Sequence, residues 1–168
     1  EQIARSMRFK DVARWSLSRF GLAHTDRMTR FLKRLLKTDR FEEMRIPLAV
    51  VASDLSTGKP VVFSGSGDVA TAIQASCAYP GLYQPVRHDG KFLVDGLVSM
   101  EVPALPVKDM GATHTISVAL PSPETMNPRS VFCVLNRCFQ IMAMRTEYEW
   151  RKHSNLVIEP TVSSLAWD

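Results

Sequence analysis

Between Phe92 and Gly96 a short apolar run, Phe92-Leu93-Val94, ends on an aspartate followed by a glycine. Three apolar residues in succession are too few for a helix and suit a buried strand. Two readings of Asp95 stay open. In one it caps the N–H groups of a strand-end turn; in the other it is a buried carboxylate acting as general base. Gly96 permits a backbone turn closed to other residues and lets a neighbouring strand come close. Upstream, Ala70, Ile73 and Cys77 fall on one face of a helical pattern that Pro80-Gly81 stops.

Strands and helices alternate on either side of this stretch. Pro47 to Ser53 is an apolar run without alternation and reads as a central strand covered on both faces. Asp54-Leu55-Ser56-Thr57-Gly58 signals a turn, and Val61 to Ser64 is its hairpin partner. Asp68 is suited to cap the helix that follows the loop Ser64-Gly65-Ser66-Gly67. That loop has no Gly-Lys-Ser or Gly-Lys-Thr to cradle phosphate, and Ser66 lacks the Gly-x-Ser-x-Gly frame of a nucleophile elbow. Further on, Val102 to Gly111 predicts a short helix closed by glycine, and Thr113 to Leu120 a strand with His114 at its start in a structural or exposed role. Residues 121–128 form a turn-rich loop, and Ser130 to Trp150 is expected as one long helix with Val131, Leu135, Phe139, Met142 and Met144 directed inward. Leu156 to Ile158 closes the pattern as a short strand. This order predicts a single α/β domain over residues 1–168, three-layered (α/β/α), with a mostly parallel central sheet. In such sheets functional groups gather at the carboxyl ends of strands, where Asp95 stands.

Near the N-terminus, residues 1–24 read as a helix plus a connecting segment. From Asp26 to Lys37 the pattern is clearer. Met28, Phe31, Leu32 and Leu35 recur at helical spacing, and Arg27, Arg30, Lys33, Arg34 and Lys37 fill the remaining surface. The helix either docks on its own domain with a solvated basic face or lies on anionic lipid through Arg30, Lys33, Arg34 and Lys37.

A net charge of +4 allows attraction to phosphate-bearing surfaces of either kind. No nucleic-acid module is visible, which argues against a nucleic-acid partner. Cys77, Cys133 and Cys138 lack metal-ligand spacing and read as reduced, mostly buried residues; the four scattered histidines pair with none of them, so no metal is expected. No apolar run approaches the length that spans a bilayer, and no signal-peptide pattern is present. The expectation is a cytoplasmic protein, peripheral at most to a membrane.

Taken together, Asp54-Leu55-Ser56-Thr57-Gly58, then Ala72 to Gly81, then Leu93-Val94-Asp95-Gly96, with Val102-Pro103 beyond, closely resemble the patatin-like phospholipase family from about Arg27 to about Pro160. The resemblance implies a serine-dependent acyl ester hydrolase without a cofactor, acting on a lipid or small acyl ester. It implies that Asp95 is the aspartate of a two-residue Ser–Asp dyad, supported by the motif residues Gly96, Pro80 and Gly81, and that Asp54 is structural. The family's Gly-x-Ser-x-Gly serine and Gly-rich oxyanion loop have no match in this sequence, and Leu97 replaces the small residue usual after Asp-Gly. The expectation is therefore a domain that lacks its N-terminal part and pairs with that segment or with itself. The alternative is an inactive relative serving as a membrane-surface or partner-binding module.

Overall fold

A computed structural model describes residues 8–120 and 130–160. The loop expected at 121–128 lies outside the described residues. The chain divides into two compact units, residues 1–99 and 100–168, each described by itself.

The first unit opens with a short helix α1 (Phe9–Val12) and an antiparallel hairpin, β1 (Arg14–Ser18) and β2 (Gly21–His24). The helical reading of this segment gives way to strands because β2 is held by backbone bonds from elsewhere in the chain. Leu22 and Ala23 donate their N–H groups to the Leu82 carbonyl, and Gln84 donates to that of Ala23. Gly21 makes this approach possible, since a Cβ there would lie 2.8 Å from the Gln84 nitrogen. Helix α2 (Asp26–Leu35) follows as expected, with Met28 and Phe31 packed on Val12, Ala13 and Ala23. The stripe thus faces its own unit, as the docked reading requires. Leu35 at its far end stays exposed.

After a 3₁₀ turn (Phe41–Glu43) come β3 (Ala49–Asp54), β4 (Pro60–Ser64), α3 (Val69–Ser76), β5 (Val86–His88), β6 (Lys91–Asp95) and a second 3₁₀ turn (Gly96–Val98). The four strands form one sheet in the order β4-β3-β6-β5, and every pairing in it is antiparallel. This corrects the expectation of a mostly parallel sheet. The connections explain the difference: β3 and β4 are joined by 55–59, and β5 and β6 by Asp89-Gly90, both with positive φ. A parallel pair needs a crossover of a dozen or more residues, which neither link supplies.

β3 is central, as expected, and its inner residues Val51 to Asp54 are buried. Helix α3 lies on the sheet through small side chains: Val69, Ala70, Ala72 and Ala75 are buried, and Ala75 packs with Ala52 and Leu93. Asp68 caps it, accepting the Thr71 N–H at 2.6 Å. The helix ends at Ser76, so Cys77 leaves the expected inward face and is exposed. Cys138 is also exposed and Cys133 half-buried, so the expectation that most cysteines are buried does not hold.

The second unit contains α4 (Ala104–Asp109), β7 (Ile116–Val118), α5 (Val131–Met144), α6 (Glu147–Lys152) and β8 (Leu156–Ile158). β7 and β8 are parallel neighbours. Its core is Ala104, Ala119 and Trp150, with Val102 and Val157 against it. The single helix expected from Ser130 to Trp150 is broken at Arg145-Thr146, where the Thr146 hydroxyl and N–H both donate to the Ala143 carbonyl. A threonine that offers its hydroxyl to a backbone carbonyl competes with helix continuation. The expected inward stripe is likewise corrected: Val131, Leu135, Met142 and Met144 are exposed, and only Ala143 of α5 is buried among the described residues.

Candidate active site

Asp95 is fixed from four directions. Its residue pairs with Ala52 of β3, and its N–H donates to the Ala78 carbonyl at 3.0 Å, tying the strand end to the end of α3. Its own carbonyl accepts the Ser53 hydroxyl at 2.8 Å. Ser53 is buried and meets the Ser99 hydroxyl at 2.7 Å, while the Ser99 N–H donates back to it at 3.1 Å. On the side chain, Oδ1 accepts the Leu97 N–H at 2.9 Å. The turn-capping reading of Asp95 is therefore realised in the backbone geometry.

The same carboxylate is only half-exposed, and loss of water raises its pKa above the usual carboxylate value against the lowering pull of the Leu97 N–H. Among the described residues no protein donor occupies Oδ2. Two acidic side chains register its charge. Cys77 is exposed by area, yet crowding and then the Asp95 carboxylate raise its thiol pKa. Tyr79 is raised by burial first and by Asp95 second.

Gly96 is buried, and a Cβ built on it would lie 2.4 Å from the Val51 carbonyl oxygen. The motif needs glycine here for contact with β3. Pro80 and Gly81 form the turn in which the Leu82 and Tyr83 N–H groups donate to the Tyr79 carbonyl, with Gly81 at φ 85°. This turn places Ala78 against Asp95 and Leu82 against β2.

Asp54 closes the β3–β4 turn, accepting from the Ser56 N–H at 2.9 Å and the Thr57 hydroxyl at 3.1 Å. Those bonds, the Ser56 N–H first, hold its carboxyl below the usual range despite burial. Its role is structural. His114, in the second unit, is exposed with Nδ1 3.2 Å from the Thr113 hydroxyl.

Sequence reasoning missed Ser53, Ser99, Cys77 and Tyr79 as neighbours of the carboxylate. Ser53 offered one signal, a hydroxyl breaking the apolar run one residue before Asp54. Of the basic helix residues, Arg30, Arg34 and Lys37 are exposed, while Lys33 is held by Asp39 at 3.1 Å and Asp68 at 2.5 Å. An open depression of about 650 Å³ lies there, and Asp95 is not among its lining residues. Among the described residues no three His, Cys, Asp or Glu side chains gather to hold a metal, and no helix is long and apolar enough to cross a membrane.

A family model described as patatin-like phospholipase matches residues 3–108. Similar curated proteins include the uncharacterized NTE family protein Mb1092c of Mycobacterium bovis and its namesakes MT1093 and Rv1063c of Mycobacterium tuberculosis. Each is 33% identical over 105 residues, which is 62% of this chain and 29% of the relative. The chain thus spans less than a third of the length of these relatives.

Proposed function

The chain belongs to the patatin-like phospholipase family, and from that premise we propose that Asp95 is the base of a Ser–Asp dyad in an acyl ester hydrolase of the esterase or phospholipase type. The observation that carries this reading is the state of its carboxylate. One oxygen is locked by Leu97, the other is free of protein donors among the described residues, and desolvation makes it more basic than an exposed aspartate. An ordinary aspartate, with a pKa of about 3.9, is a weak base toward a hydroxyl.

The serine is supplied by a segment outside residues 1–168. The curated relatives extend well beyond the stretch they share with this chain, which leaves room for it in proteins of their length. In the second unit, Ile116, Val118, Leu156 and Ile158 are exposed on the parallel β7–β8 pair. Parallel pairs are ordinarily covered on both faces, so this surface fits a larger, three-layered domain with further parallel strands.

The chemistry proceeds in two halves. The serine oxygen attacks the ester carbonyl carbon, its proton passes to Asp95 Oδ2, and the carbonyl π electrons move onto oxygen. Collapse of that tetrahedral species expels the alcohol, which takes the proton from Asp95 and leaves an acyl-serine. Water then attacks the acyl group, giving its proton to Asp95, and release of the acid returns that proton to the serine oxygen.

In the longer protein, Asp95→Asn keeps the Leu97 cap and removes the base. Turnover of short-chain aryl esters is expected to fall about 10²- to 10⁴-fold, and a fluorophosphonate is expected to label a serine. Undiminished turnover in Asp95→Asn removes this residue from the mechanism.

A further inference from the structure

We propose that α1, α2 and the hairpin between them form a docking surface for membranes rich in anionic phospholipid, independent of any hydrolysis. The depression on this face is lined by Lys10, Asp11, Arg27, Arg30, Lys33 and Arg34. Its charges are unevenly satisfied. Lys33 is neutralised by Asp39 and Asp68, whereas among the described residues Lys10, Arg27, Arg30 and Arg34 have no carboxylate partner. Among the described residues that line the depression, the single carboxylate, Asp11, already accepts the Arg8 N–H.

Arg27, Arg30 and Arg34 stand at i, i+3 and i+7 on one face of α2, and all three are exposed. Like charges at such spacings oppose helix formation, so the cluster costs the fold something that its own acids do not offset. Arg27 is held toward α1 by donating to the Lys10 carbonyl at 2.9 Å, which gathers the two helices' cations into one patch. Such a patch matches phosphate diesters at a surface.

The neighbouring residues favour lipid over nucleic acid. Trp15, on β1, is 68% exposed, and its ring lies 4.9 Å from that of Phe9, the residue before Lys10. An exposed tryptophan in ring contact with the residue that precedes Lys10 is the kind of side chain that settles at a headgroup layer, with the ring at the acyl boundary while cations meet phosphate. The surface differs from the one expected from sequence: Lys33 is already engaged, and Lys10 and Arg27 take its place.

The test is flotation of the 168-residue chain with vesicles of phosphatidylcholine alone and of an equal mixture with phosphatidylglycerol. Binding is expected only to the mixed vesicles and is expected to weaken with salt. Arg30→Gln/Arg34→Gln is expected to weaken partitioning about 25-fold, from roughly fivefold per charge, with an unchanged far-UV circular dichroism spectrum. Arg45→Gln/Lys59→Gln removes the same charge from exposed positions elsewhere in the unit and is expected to retain most binding. Equal losses in the two double variants would reduce the effect to net charge and overturn the proposal. So would equal binding to pure phosphatidylcholine, or retention on double-stranded DNA with none on vesicles.

Discussion

Gly96 sits against Val51 so tightly that a Cβ on the glycine would lie 2.4 Å from the valine carbonyl oxygen and 3.0 Å from its carbonyl carbon. The obstacle is the backbone of a central strand, which has no rotamer to move. Gly96→Ala is therefore expected to destabilise the first unit by about 1–3 kcal/mol, the range for overpacking a filled site. Urea unfolding measures it, and an unchanged midpoint would show that β3 and the turn can separate freely. Gly58→Ala is the comparison: nothing lies within 4 Å of a Cβ there, and its φ of 70°, which Gly96 does not share, is the sole obstacle to alanine.

Asp68 links helix α3 to helix α2, capping Thr71 and pairing with Lys33. Burial acts to raise its pKa, but the Lys33 ammonium and the Thr71 N–H and hydroxyl outweigh it and leave it below the usual value. A lowered native pKa stabilises above the unfolded value of about 3.9 and is lost as pH falls through the native one. Asp68→Ala is expected to cost about 1 kcal/mol near neutrality, as lost caps do. Asp68→Asn keeps an acceptor for Thr71 and should cost less. Its deficit should shrink as pH drops below about 4; a deficit that persists there would mean that the ion pair contributes nothing.

The parts of this structure that follow from short stretches are legible in the sequence. Leu93 and Val94 are buried in a strand as expected, although Phe92 at its outer end is exposed, Asp54 lies in the turn that its neighbours signal, Asp68 caps its helix, and α2 docks through its apolar stripe. What is not legible depends on partners far along the chain. Strand direction in the main sheet is decided by which strands pair, and the Ser53–Ser99 bond that steadies Asp95 spans 46 residues. The hairpin at 14–24 hides because its conformation is fixed by bonds to Leu82 and Gln84. The apolar side of α5 reads as core by spacing, yet spacing reports only that a face exists.

Trp150 anchors the second unit, 6% exposed, with Nε1 donating to Glu101 Oε2 at 3.0 Å. Trp150→Phe keeps an aromatic ring and removes the donor, at an expected cost of about 1.5–3 kcal/mol for a hydrogen bond to a charged group. Trp150→Ala also empties the space against Ala104 and Ala119 and is expected to cost about 3–5 kcal/mol. Loss of tertiary signal with temperature distinguishes them; equal stability of Phe and Ala variants would mean that the ring does not hold this core.

Asp95 and Cys77 can report on each other. The thiol is raised by crowding and then by the carboxylate charge, while the carboxylate is itself raised by loss of water. Asp95→Asn removes the charge and keeps the acceptor for Leu97. Alkylation proceeds through the thiolate, so the pH at which Cys77 becomes half-reactive toward iodoacetamide should move down, as read by peptide mass spectrometry. Stability should respond in a related sense. An acid whose native pKa is raised binds more protons folded than unfolded, so stability falls as pH rises from the unfolded value through the native one. The asparagine variant escapes that loss and should be at least as stable as the parent at neutral pH, with the advantage disappearing in acid. An unchanged Cys77 profile, together with a destabilised asparagine variant, would mean that the carboxylate is well solvated and apart from the thiol. A solvated carboxylate has no raised basicity to offer a serine, so the same pair of measurements bears directly on the dyad.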